Sequence, residues 1–129
     1  MFVKKLLPAL AWAVVIMVLC GIPGRDIPEL TFLQWLKPDK IVHLLMFGTL
    51  CYLLLIGFRS EHAPATLHAH AIVWAVTISI CYGILTEVLQ AYVFIQRNGD
   101  VRDAMANALG AAVAALLFRH RQRSAGQEK

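Results

Sequence analysis

The chain has 129 residues, 59% of them hydrophobic and only 16% charged, whereas an average soluble domain carries about 25% charged residues. That balance excludes an ordinary soluble domain, and the length leaves no room for a second one. The formal net charge of +4 could point to nucleic acid, but the basic residues are scattered and build no continuous face, so nucleic acid is not an expected partner.

Lys4 and Lys5 precede the first apolar run, residues 6–22. A cleavable leader would end in small residues of the Ala-x-Ala kind. Here the exit reads Val18-Leu19-Cys20-Gly21-Ile22-Pro23, and Leu19 also argues against lipid modification of Cys20. The run is read as a retained first span, with Pro8 near its start, where proline is tolerated. Pro23, Gly24, Pro28 and Pro38 then break any long helix, and residues 30–36 read as a short interfacial turn with Trp35 at headgroup depth. Further spans are expected over 41–58, 71–93 and 104–118, followed by a basic, disordered tail over 119–129.

These spans must be helices, because a lipid-embedded backbone has to satisfy its own hydrogen bonds and no barrel-like alternation is present. Lys4 and Lys5 flank the first span, and Arg119, Arg121, Arg123 and Lys129 follow the last. Cytoplasmic segments are enriched in Lys and Arg. The expected fold is therefore an all-α membrane protein: a four-transmembrane-helix bundle in a bacterial cell membrane, one domain over 1–129, both termini cytoplasmic. The fourth span is short, about 22 Å of helix against a hydrocarbon core of about 30 Å. Its helix must reach back through Arg102 and Asp103, or the bilayer must thin. Ala106, Gly110 and Ala114 give it a small-residue stripe that admits a close neighbour. Cys20, Cys51 and Cys81 lie in apolar segments without metal-ligand spacing and read as packing residues.

The polar residues collect at particular span ends. Asp39 and His43 are four apart and share a helix face. Glu87 and Gln90 share another, and Asp103, Asn107 and Gly110 a third. Alternating spans bring these ends to one side of the membrane, where Lys40, Arg97 and Asp100 also fall. Plainer roles exist for several. Asp39 after Pro38, and Asp100 or Asp103, are placed to cap helices. Arg97 or Arg102 could neutralise Glu87 or Asp103, and a single histidine is commonly a hydrogen-bonded core residue. Glu87 is harder to dismiss, because an acid that interrupts an apolar span is by default a site candidate.

Asp39-Lys40-Ile41-Val42-His43, then Tyr82-Gly83 with Glu87 and Gln90, then Arg97 and Asp103-x-x-x-Asn107-x-x-Gly110 together resemble the VanZ-like family, over about residues 37 to 114. The resemblance implies a small integral membrane protein of the cell envelope, in a family whose founding member is linked to resistance to teicoplanin. It carries over Asp39, Lys40, His43, Glu87, Gln90, Arg97, Asp103, Asn107 and Gly110. Asp100 departs from the pattern, standing where a small or hydroxyl residue is common, and Ala114 replaces a frequent second glycine.

The preferred function is binding or modifying an anionic envelope lipid or lipid-linked precursor at the extracytoplasmic face. Arginine and lysine suit phosphate, and Lys40, Arg97 and Arg102 lie at that end. Asp39, Lys40, Gln90, Arg97, Asp100 and Asn107 are the candidate ligand-binding residues. If bonds are made or broken, His43 is the candidate base, with Glu87 or Asp103 orienting it or acting as acid. His43, Glu87 and Asp103 also have the donor types for zinc or manganese. No zinc signature such as His-Glu-x-x-His is present, so no metal or cofactor is assigned. The alternatives are a structural or accessory subunit whose polar cluster only locks the bundle, and an intramembrane hydrolase or transferase. A transporter is least favoured, since no internal repeat is seen. Membrane lipids are the expected partners, and a homo-oligomer stays open. His68-Ala69-His70, in the expected cytoplasmic loop, reads as an adventitious metal binder at most.

Overall fold

Pro38 opens the second long helix at its first position, where the missing N–H would have had no helical partner. The computed structural model describes residues 1–23 and 38–127; the interfacial turn expected at 30–36 lies outside the described residues. The elements are α1 (Phe2–Gly21), α2 (Pro38–Phe58), a short α3 (Ala65–Ala69), α4 (Ala71–Tyr92) and α5 (Val101–Gln127), with no strand among the described residues. The four long helices are each long and apolar enough to cross a membrane. Every long helix presents large apolar side chains outward, among them Val14, Leu45, Ile84 and Leu116. In water such a surface would aggregate; in lipid it is simply solvated.

Two boundaries differ most from the sequence reading. Helix α1 starts at Phe2, so Pro8 falls inside it and the Lys4 carbonyl loses its intrahelical partner. The residues expected to be a disordered tail are instead helical through Gln127. Arg, Gln and Ala are good helix formers, and two side-chain bonds tie this turn back to α2. Arg121 Nη1 donates to Tyr52 Oη at 3.0 Å, and Arg59 Nη2 donates to Gln122 Oε1 at 3.1 Å. At its other end α5 begins at Val101, the first of the two alternatives that the short fourth span leaves.

Helix α2 is the hub, packing on α1, α4 and α5. Its buried Phe47, Leu50, Cys51, Leu54 and Leu55 form the core with Ile16, Ala75, Ala111 and Ala114. Lipid supplies no hydrophobic drive between helices, so close packing and interhelical hydrogen bonds hold them. Both occur here. Trp12 Nε1 donates to the Met46 carbonyl at 2.9 Å, and Tyr82 Oη to the Ala13 carbonyl at 2.6 Å, pinning α1 to α2 and α4. A β-carbon on Gly110 would collide with the Leu44 carbonyl oxygen, and one on Gly48 would stand 3.1 Å from the Gly110 carbonyl oxygen. The two backbones touch.

Gly110→Ala should therefore destabilise the detergent-solubilised protein by about 1–3 kcal/mol, as at other overpacked sites, and so lower its thermal midpoint. Gly126→Ala, where a β-carbon meets nothing within 4 Å, should not. Equal midpoints in the two variants would disprove the close crossing.

Candidate functional site

Four elements end at one end of the bundle: the C-termini of α1 and α4 and the N-termini of α2 and α5. There His43 from α2, Glu87 from α4, and Asp103 and Asn107 from α5 are buried, at 2%, 8%, 5% and 1% exposure. Buried polar groups in an apolar setting demand partners, and each of these has one. His43 Nδ1 and Asn107 Oδ1 share a hydrogen bond of 2.9 Å. The His43 ring also lies parallel to Phe47 at 6.4 Å between centroids. Glu87 Oε2 accepts the Asp100 backbone N–H at 3.0 Å, while Oε1 lies 3.7 Å from His43 Nδ1. Lys40 Nζ donates to Asp103 Oδ1 at 2.6 Å and to Asp100 Oδ2 at 3.3 Å.

Asp100 joins three of these interactions. Its Oδ1 accepts the Arg102 N–H at 2.8 Å, capping the first turn of α5. Its Oδ2 meets Lys40, and its own N–H holds Glu87. Gly99 makes this approach feasible, because a β-carbon there would lie 2.6 Å from the Glu87 carbonyl oxygen. The connecting loop turns at Gln96, whose φ of 53° is left-handed. Asp103 follows in the first turn of α5, where the helix dipole favours a negative charge. Asp100 lies just outside the spans. Its carboxyl is held below the ordinary carboxylate range, first by the Arg102 N–H and then by the Lys40 ammonium, against partial desolvation.

The sequence profile of the VanZ/LLP1 family matches residues 6–122. The chain belongs to this family. No curated protein and no solved structure matches it.

In this VanZ/LLP1 protein the structure gathers His43, Glu87, Asp103, Asn107, Lys40 and Asp100 into one cluster. Other candidates sit apart. Gln90, 1% exposed, donates from Nε2 to the Cys20 carbonyl at 3.2 Å and so fastens α4 to the end of α1. Asp39 lies in the first turn of α2, but its side chain is outside the described residues. Arg97 and Arg102 do not neutralise Glu87 or Asp103; among the described residues Lys40 pairs with Asp103, and no ion pair involves either arginine side chain. Sequence reasoning missed Gly99 and the fully buried Thr86, whose Oγ1 bonds back to the Gly83 carbonyl at 2.8 Å. A glycine directly before a capping aspartate was the available signal for the first. Gly83 completes the floor: a β-carbon there would stand 3.0 Å from Asn107 Cβ and 3.1 Å from Nδ2, a buried nitrogen with no hydrogen-bond partner among the described residues.

Two outcomes are expected. Gly83→Ala should push Asn107 and disturb its bond to His43, destabilising the protein by about 1–3 kcal/mol and shifting the His43 ring resonances; unchanged resonances would refute the contact. Because the folded-state pKa of Asp100 is depressed, its contribution is complete above the ordinary aspartate pKa of about 3.9. It disappears as pH falls through the lower folded value. The wild-type thermal midpoint should thus decline more steeply with acid below about pH 4 than that of Asp100→Asn. Parallel curves would contradict this.

Proposed function

We propose that this protein is a multi-pass protein of the bacterial cell membrane, with cytoplasmic termini, that binds or modifies an anionic envelope lipid or lipid-linked precursor at its extracytoplasmic end. One observation carries the reading: the polar cluster and an apolar furrow share the seam between α2 and α5. Lys40, Asp100 and Asp103 pair at the end of that seam, with Lys40 one helical turn before Leu44. Leu44, Gly48, Leu53, Gly110, Val113 and Leu117 line the furrow that follows it down the bundle. A headgroup at the polar end would leave its acyl or prenyl chain against those walls.

Lys40 already serves two carboxylates, so the cations best placed to meet a phosphate are Arg97 and Arg102, half-buried and exposed respectively. Guanidinium offers the bidentate geometry that phosphate takes. The 3.7 Å separation of Glu87 Oε1 from His43 Nδ1 also favours a second reading, in which the cluster hydrolyses or transfers part of the headgroup. His43 would then move the proton and Glu87 stabilise the imidazolium. An influence on teicoplanin susceptibility would follow if the lipid is a cell-wall precursor.

Native mass spectrometry of protein extracted gently with its membrane lipids tests the binding. Wild type should retain an anionic lipid, and Arg97→Gln/Arg102→Gln should lose most of it while staying folded. Identical lipid profiles in the two folded proteins would overturn the reading. Failure of Glu87→Gln or Asp103→Asn to accumulate, with no lipid on wild type, would instead favour a cluster that only locks the bundle.

A further inference from the structure

The geometry points to a divalent metal site made by His43, Glu87 and Asp103, with zinc or manganese as the fitting ion. One ligand atom from each residue lies within 4.8 Å of the others, and all three residues are buried. Bonds of about 2.0–2.2 Å place neighbouring donors roughly 3–3.5 Å apart. His43 Nδ1 and Glu87 Oε1 stand 3.7 Å apart. Closing the remaining gap needs movements of about 1 Å, within the reach of carboxylate torsions, which are soft.

The outer partners strengthen the assignment. Metal ligands are characteristically oriented by a second hydrogen bond on the atom not facing the ion. Here Glu87 presents Oε2 to the Asp100 N–H and Asp103 presents Oδ1 to Lys40, while Phe47 stacks on the His43 ring; Asn107 Oδ1 shares Nδ1, so ligation through that nitrogen requires the Asn107 amide to turn away. Imidazole with two carboxylates suits zinc or manganese better than calcium or magnesium, which favour all-oxygen sets, and no thiol lies in the cluster to recruit softer ions. Three protein ligands leave coordination positions open. A headgroup phosphate oxygen or a water could fill them. Linear spacing hides this site, because its ligands come from three separate helices, 44 and 16 residues apart along the chain (87 − 43 and 103 − 87).

The inference deepens the lipid reading by naming what would face the phosphate, yet its test needs no lipid. Delipidated protein in detergent is stripped with chelator, then titrated with Zn²⁺ or Mn²⁺, following bound metal per chain and thermal midpoint. Wild type should take up one ion per chain with a raised midpoint. Glu87→Gln and Asp103→Asn should each weaken binding at least tenfold. His68→Ala/His70→Ala, in the opposite loop, should still bind one ion. No uptake by wild type, or uptake lost with the loop histidines and kept in Glu87→Gln, would overturn the site. Should the buried variants misfold, cobalt(II) in wild type decides: a visible ligand-field spectrum of mixed nitrogen and oxygen ligation supports the site, and a purely aqueous spectrum rejects it. Lipid retention measured separately, with and without chelator, lets either reading fail alone.

Discussion

Gly110 lies against the backbone of Leu44 with no room for a β-carbon, and most of the polar end depends on that approach. The side chains involved are short. Asn107 can reach His43, and Asp103 can reach Lys40, only because the α2 and α5 axes run this close. A larger residue at position 110 would separate the helices by more than a hydrogen bond can stretch. Small residues are commonly regarded as packing devices in membranes. Here packing at Gly48 and Gly110 also sets the distances within the cluster.

The cluster is consistent with what a membrane permits. Buried charge is tolerated when each group has hydrogen-bonding partners, and the partners here come from different helices. Lys40 joins α2 to α5, Asp100 joins the α4–α5 loop to α4, and Gln90 joins α4 to α1. The polar end therefore specifies helix arrangement as well as offering chemistry. These roles are compatible: an arrangement fixed by hydrogen bonds is also the rigid frame that ligand binding requires.

The four spans were legible because hydropathy and length decide them. The end at which polar residues gather was legible too, from the alternation of spans, and so was the shared face of Asp103, Asn107 and Gly110. Pairing was not. Sequence offered Arg97 and Arg102 as natural partners for Glu87 and Asp103, whereas Lys40 takes Asp103 and a backbone N–H takes Glu87. Spacing along one helix reports which side chains share a face, but it carries no information about rotation relative to another helix. The tail was misjudged for a related reason: residues 119–127 look polar and unattached until Tyr52 and Arg59 are seen beside them.

The long sequence separation within the cluster bears on how the protein is made. Lys40 and His43 find their partners 60 to 64 residues later in the chain. Synthesis proceeds from the N-terminus, so α2 reaches the bilayer well before α5 exists. During that interval Lys40 lacks Asp100 and Asp103, and His43 lacks Asn107. The nascent chain must therefore pass through a stage in which its most polar helix end is shielded by water, headgroups or insertion machinery, and the last helix to arrive completes the site.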